Sequence, residues 1–73
     1  MDRQPICEMG PLGRKEWILD NMFHRIDGPA IEYPDGRKSW YLDGVKVPWQ
    51  TLYHRATTDE ARLSILIAAL TKP

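Results

Sequence analysis

The chain has 73 residues, enough for one domain, and its ten basic side chains balance its ten acidic ones. A domain of this size buries only about 60% of the surface of its unfolded chain, so its core is small. The balanced charge argues against a protein that coats nucleic acid, and also against an acidic mimic of DNA. Because Cys7 is the only cysteine, neither an internal disulfide nor a thiolate zinc cluster can form.

Short strand-like segments separated by turn signals occupy the first two thirds of the chain. Asp20-Asn21 and Asp43-Gly44 both tolerate the positive φ angles that two-residue hairpin turns require. The alternating segments between the turns predict an antiparallel meander. We expect its strands at about 6–9, 14–19, 22–25, 30–33, 37–42 and 45–47.

An eight-residue segment occurs twice in this region. Residues 13–20 read GRKEWILD and residues 36–43 read GRKSWYLD, an offset of 23 residues with six identical positions. Such a fixed offset indicates a repeated structural unit. Strand alternation places the apolar residues common to both copies on one face, which we predict to be the core face. Its members are Trp17, Leu19, Trp40 and Leu42, joined by Ile31 and Tyr33 from the segment between the copies.

The pattern becomes helical after Val47. Pro48 suits a first helical turn, and the next apolar residues follow a helical spacing. They are Trp49, Leu52, Tyr53 and Ala56.

A second helix is predicted to follow, with Thr57 as its N-cap and Glu60 completing a capping box. Its apolar stripe comprises Leu63, Leu66, Ile67 and Leu70, with Lys72 and Pro73 near its end. Ile65, Ala68 and Ala69 widen the apolar surface beyond that stripe. These three residues predict either an oligomer interface, such as a homodimer, or a contact with the helix over residues 49–56.

Together these segments predict an α+β fold in a single domain, residues 1–73. Residues 5–47 form the repeat meander, and residues 48–73 form a helical cap that covers the Trp/Leu face. A meander this small needs such a cover to bury its apolar side.

One segment links the repeat to a known family. It runs Phe23-His24-Arg25-Ile26-Asp27-Gly28-Pro29-Ala30, with Trp17-x-x-Asp20-Asn21 before it and Asp35-Gly36-x-x-x-Trp40-Tyr41-x-Asp43-Gly44 after it. This arrangement resembles a repeat of bacteriophage and some bacterial proteins, Trp-Tyr-x-Asn/Asp-Gly-x-x-His-Arg-x-Asp-Gly-Pro-Ala, and is similar in length to MORN repeats. The resemblance covers about residues 13–45, with a weaker fragment at 5–12. It ends where Val47-Pro48 replaces a second His-Arg.

The resemblance implies a small phage-encoded accessory protein acting in the cytoplasm of the host cell. By analogy alone, it implies steric inhibition of a host defence complex of the CRISPR or nuclease type.

His24 and Arg25 are expected to have structural roles, with binding as the alternative. The spacing of Arg25 and Asp27 suits a local ion pair or hydrogen bonds to turn carbonyls. His24 is expected to donate a ring N–H to a backbone oxygen of the neighbouring hairpin.

Two candidate binding surfaces follow from the predicted meander. Arg14, Lys15, Arg37 and Lys38 occupy equivalent positions and predict a basic edge, to which Lys46 could add. Ile18, Glu32 and Tyr41 are expected on the open sheet face, opposite the Trp residues. The alternatives for the basic edge are a solvated rim that protects the sheet, an anionic protein partner, or nucleic acid.

No pattern in the chain indicates catalysis, so we expect a protein that is not an enzyme and needs no cofactor. His24, His54 and Cys7 lack metal-ligand spacing. The longest apolar run, residues 65–70, is too short to span a bilayer. The start of the chain lacks the apolar core of a signal peptide, and a lone thiol suits a reducing cytoplasm.

Overall fold

The computed structural model describes residues 4–71, in which seven short strands precede two helices. The strands are β1 (Ile6–Met9), β2 (Lys15–Leu19), β3 (Met22–Phe23), β4 (Ile31–Glu32), β5 (Lys38–Ser39), β6 (Tyr41–Leu42) and β7 (Val45–Lys46). The helices are α1 (Trp49–Arg55) and α2 (Asp59–Leu70). The predicted α+β class is confirmed. Residues 1–3, and the predicted positions of Lys72 and Pro73, lie outside the described residues.

The strands form a meander-like arrangement in which every pairing is antiparallel. Four strands follow the order β1-β2-β4-β5, β3 also pairs with β2, and β6 pairs with β7 in a separate two-stranded sheet. The predicted strand over 37–42 is therefore divided at Trp40. Residues before Trp40 pair with β4 and residues after it pair with β7, because the chain changes partners at this point.

The sequence repeat is also a backbone repeat. Gly13 and Gly36 have φ angles of 82° and 93°, while Asp20 and Asp43 have φ angles of 53° and 51°. The predicted two-residue hairpin turns are confirmed, since Asn21 and Gly44 complete them, also with positive φ.

Backbone hydrogen bonds extend the repeat beyond the turns. The His24 N–H donates to the Trp17 carbonyl at 3.0 Å, and the Val47 N–H donates to the Trp40 carbonyl at 2.9 Å. These four residues keep the 23-residue offset, although Val47 no longer matches the His-Arg motif.

The main core lies between the second copy of the repeat and the helices. Trp40, Leu52 and Ile65 form its buried centre. Half-buried apolar side chains pack around them, including Leu42 and the predicted α1 face of Trp49, Tyr53 and Ala56. The predicted cover of the Trp/Leu face by the helices is therefore found at Trp40 and Leu42, whereas Trp17 and Leu19 are not part of this cluster.

The register of β4 determines which residues share a sheet face. Glu32 lies opposite Lys15, and Ile31 lies opposite Glu16. Since side chains alternate along a strand, Glu32 shares the face of Trp17 and Ile31 lies on the other face. The predicted placement of Ile31 beside Trp17 is therefore wrong. Ile31 is nevertheless only 3% exposed, so the face away from the helices is closed at this point.

Helix α2 begins one residue later than predicted. Thr58 is its N-cap, and its Oγ1 accepts a hydrogen bond from the Ala61 N–H at 3.1 Å. The predicted capping box of Thr57 and Glu60 is wrong, because the adjacent threonine performs the capping. Asp59 and Glu60 still occupy the first turn, where carboxylates suit the positive end of the helix dipole.

The apolar face of α2 that packs on the core is the opposite of the predicted one. Ile65 is fully buried, and Ala68 and Ala69 pack beside it. The predicted stripe is instead largely exposed, at 59% for Leu63, 67% for Ile67 and 72% for Leu70. The small alanines let α2 approach the core closely, whereas the larger side chains of the stripe remain outside. Of the two predicted roles, the contact with the helix over residues 49–56 is confirmed, because Ile65, Ala68 and Ala69 join Leu52 of α1 in the core. The fully buried Ile65 is not accessible to an oligomer interface.

Replacing Ile65 with Ala should lower the free energy of unfolding by about 2–5 kcal/mol, because it opens a cavity in the buried centre. This is a large part of the roughly 4–10 kcal/mol expected for a chain of this size. Ile67→Ala removes the same atoms from the same helix at an exposed position, so its effect should stay within about 0.5 kcal/mol. Urea unfolding of both variants makes the comparison. Equal losses would contradict the assignment of the core face.

Candidate functional site

Arg25 connects three segments of the first repeat copy. Its Nε lies 3.0 Å from Asp27 Oδ1, and its Nη1 lies 3.1 Å from both the Pro29 carbonyl oxygen and Glu32 Oε2. Its guanidinium carbon lies 4.0 Å from the centre of the Trp17 ring, a cation–π contact. Both predicted roles of Arg25, the ion pair and the carbonyl hydrogen bond, are confirmed.

The glycine of the motif makes room for this guanidinium. A Cβ atom on Gly28 would lie 2.8 Å from the Arg25 Cζ, so a larger residue would displace the arginine. Pro29 and Ala30, which follow, are buried. The segment Arg25-x-Asp27-Gly28-Pro29-Ala30 therefore places the Arg25 guanidinium over the Trp17 ring.

His24 forms a hydrogen bond with the second hairpin turn, but its ring accepts this bond, whereas the prediction had the ring donating. Its Nδ1 accepts a hydrogen bond from the Asp43 N–H at 3.0 Å, whereas a donated ring N–H was expected. The same Nδ1 lies 3.3 Å from Asp43 Oδ1. An Nδ1 that accepts a hydrogen bond corresponds to the ring tautomer with its proton on Nε2.

The predicted basic edge is brought together around Tyr33. The guanidinium carbons of Arg37 and Arg14 lie 5.1 Å and 6.0 Å from the centre of the Tyr33 ring. Lys15 and Lys38 lie on either side of Glu32 in the sheet, each as its antiparallel partner. The four predicted cations are thus neighbours in the fold.

Carboxylates neutralise only part of this basic cluster. Arg14 pairs with the buried Glu16, and Arg37 pairs with Asp35 at 2.7 Å. The Lys38 ammonium donates to the Gly36 carbonyl oxygen, which leaves its charge unbalanced. Lys15 and Lys46 form no ion pair within the described residues. The uncompensated charge therefore lies on the lysines.

The predicted open-face group is not brought together. Glu32 lies on the helix side of the sheet and pairs with Arg25. Ile18 lies opposite Phe23, whose ring centre is 5.3 Å from that of Tyr41. Ile18 and Tyr41 therefore belong to a half-buried cluster with Phe23, away from Glu32.

A groove beside the basic cluster separates the sheet from the helix ends. Its volume is about 490 Å³, and we call it the basic groove. Its charged lining side chains are Arg37, Lys38 and Lys46, and no carboxylate of residues 4–71 lines it. Trp40, Trp49, Ala68 and Ala69 supply its apolar part, and Tyr33, Gly36, Ser39 and Thr71 complete it. Arg14 and Lys15, both predicted as part of the basic edge, are not in this lining.

A second groove, of about 580 Å³, has a different charge. It is lined by Asp27, Asp43 and Glu60, together with His24 and Arg55. The two grooves therefore show a separation of charge, although the chain is neutral overall: three cations line the first, and three carboxylates with one arginine line the second. This separation makes the basic groove the stronger candidate for recognition of an anionic ligand.

The sequence interpretation missed the aromatic and alanine parts of the basic groove. The sequence pattern predicts Trp49 only for the apolar face of α1, and Ala68 and Ala69 for an oligomer interface or a contact between the helices. The spacing Lys46-x-x-Trp49 placed a cation and an aromatic side chain close together across the start of a helix, a signal that could have indicated this site.

Metal-ligand clusters and membrane-spanning helices are both absent between residues 4 and 71. No three His, Cys, Asp or Glu side chains in this part of the chain are placed to hold a metal ion. Neither α1 nor α2 has the length and apolar character needed to cross a bilayer.

Comparison with known proteins adds no family assignment: no protein-family model, curated protein or solved structure matches this chain.

Replacing Arg25 with Lys should destabilise the fold by about 1–3 kcal/mol. An ammonium cannot make the forked hydrogen bonds and stack on Trp17 at the same time. Arg37→Lys is the matched control, because Arg37 also pairs with an aspartate two residues away but is 69% exposed. It should change stability by less than about 1 kcal/mol. Urea unfolding distinguishes them, and equal effects would show that Arg25 is only a surface arginine.

The pKa of Asp35 lies below its usual value of 3.8, chiefly because the Arg37 backbone N–H donates to its carboxylate and secondarily because of the Arg37 side chain. Since the folded pKa is the lower one, the stabilisation is present above about pH 4 and is lost as the pH falls through the folded pKa. Arg37→Gln should raise this pKa only partly, since the backbone donor remains. NMR titration of the Asp35 carboxyl carbon measures the change. A complete return to 3.8 would contradict the dominant role of the backbone.

Proposed function

We propose that this chain is a non-enzymatic binding module that receives an acidic surface of a partner protein in the basic groove. One observation carries the proposal: Arg37, Lys38 and Lys46 line this groove, and no carboxylate in the described part of the chain lines it with them, while the net charge of the chain is zero. Such a local imbalance favours an anionic ligand.

The opposing charge at the groove is small. The C-terminal end of α2 reaches the groove at Thr71, and a helix end carries about half a negative charge. The Thr71 N–H and hydroxyl already bond the Ile67 carbonyl. Asp35 offsets much of the Arg37 charge, but the two lysine charges remain. At physiological salt the screening length is about 8 Å, so each lysine acts on ligand charges that lie next to it in the groove.

A protein partner fits the groove better than nucleic acid does. Binding of single strands relies on aromatic faces that are free to stack on bases. The Tyr33 ring already has Arg14 and Arg37 beside it, and Trp49 packs edge-on against Tyr53. Glu16 and Asp35 also place carboxylates next to the arginines that a phosphate backbone would contact.

The resemblance of the repeat to bacteriophage proteins supports a more specific form of this proposal. The partner would be a host defence complex of the CRISPR or nuclease type, and the module would inhibit it by steric occlusion in the host cytoplasm. This step depends on analogy with the repeat family rather than on the groove itself.

The double variant Lys38→Glu/Lys46→Glu should lose a partner captured from host-cell lysate, because the groove would then repel an acidic surface. Capture is measured by mass spectrometry, with and without nuclease. The matched control is Lys15→Glu/Arg55→Glu, which makes the same change in net charge outside the basic groove and should retain the partner. Thermal unfolding verifies that both variants fold.

Capture that survives in the groove variant would contradict the proposal. Equal loss in both variants would show that net charge, rather than the groove, determines binding. Capture that disappears only after nuclease treatment would support nucleic acid as the ligand.

A further inference from the structure

The basic groove has two chemically distinct parts. The cations lie on the sheet side, on the segment from Arg37 to Lys38 and at Lys46 in β7. The helix side contributes Trp49 at the start of α1, and Ala68 and Ala69 near the end of α2. A ligand in this groove therefore meets positive charge on one side and apolar surface on the other.

The apolar part is open because two small residues occupy it. Ala68 and Ala69 are each half-buried, and their neighbours on α2 are larger aliphatic residues. A leucine at either position would extend into the space that the alanines leave. The volume of about 490 Å³ lies within the range of about 300–1,000 Å³ typical of ligand pockets.

The cations retain donors for a ligand. Lys38 uses one bond of its ammonium on the Gly36 carbonyl, and an ammonium has three donors. Arg37 uses its Nε on Asp35, which leaves its terminal amino groups. Lys46 has no partner within the described residues. The groove can thus satisfy at least two carboxylates at the same time.

We infer that the segment bound in the basic groove is an acidic peptide with a central apolar side chain flanked by carboxylates. The apolar side chain contacts Trp49, Ala68 and Ala69, while the carboxylates bond Lys38 and Lys46. A purely acidic ligand would leave the apolar part in contact with water, and a purely apolar one would leave the lysines unpaired. This inference rests on the proposed function and specifies its ligand.

The test uses the complete chain, labelled with ¹⁵N, and four synthetic probes. The first is the peptide Gly-Asp-Glu-Leu-Asp-Glu-Gly, and the second has Ser in place of Leu. In the third, Lys replaces every acidic residue, and the fourth is an oligothymidylate of similar charge to the first. NMR shifts of the Lys46 amide and the Trp49 indole N–H report occupancy, and titration to about 1 mM gives the affinities.

The Leu peptide should shift both signals and bind about tenfold more tightly than the Ser peptide, whereas the Lys peptide should not bind. Ala69→Leu should remove this preference by filling the apolar part. If Ala69→Leu does not fold, Lys46→Gln, at an exposed position, should weaken both acidic peptides and leave their ratio unchanged.

Each contrary outcome has a separate meaning. Equal binding of the Leu and Ser peptides would overturn the inference and leave the acidic-partner function standing. No groove shift with either acidic peptide would overturn both. Tighter binding of the oligothymidylate than of the Leu peptide would also overturn both, in favour of nucleic acid.

Discussion

The packing of Arg25 on Trp17 is the contact on which the first half of the fold depends. One side chain, 19% exposed, joins β2 through the indole, the following turn through Asp27 and Pro29, and β4 through Glu32. Hydrogen bonds to charged groups each contribute about 1.5–3 kcal/mol, and a partly desolvated cation–π contact adds about 1–2 kcal/mol. In a small domain these terms replace the apolar cover that Trp17 lacks.

In the second copy, apolar side chains of the helices cover the tryptophan in place of an arginine. Trp40 lies under Leu52 and Ile65, and the position that corresponds to Arg25 is Pro48, which precedes α1. A proline cannot cover an indole with a guanidinium, but it suits the start of a helix. The departure from the repeat motif is thus the point at which apolar helix packing replaces the arginine. The basic groove forms beside this junction, between the last strands of the sheet and the ends of the helices.

The hairpin turns were predictable from the sequence, whereas the N-cap residue and the buried face of α2 were not. The positive φ angles at Asp20 and Asp43 follow from turn chemistry that only a few residues satisfy. Residues 65–70 contain no polar side chain to mark the solvent side, so the periodicity of α2 could not select the Ile65 face. Likewise, two adjacent threonines can both cap a helix, and only the packed structure selects Thr58. For the site, the cations were predictable as a group. The carboxylate partners of these cations depend on strand register, and the position of Ala68 and Ala69 in the groove depends on helix rotation. The residue pattern alone does not determine either one.

The two ways of covering a tryptophan differ in whether they recur when the 23-residue unit is repeated. Arg25 belongs to the same repeat unit as the indole it covers. A unit of this kind therefore includes the side chain that covers its tryptophan. The α1–α2 pair packs on Trp40, the tryptophan of the second copy. A further unit of 23 residues added before residue 13 would therefore bring its own arginine and leave the packing of Trp40 on the terminal helices in place. Growth by duplication would lengthen the sheet and leave the groove at its end unchanged.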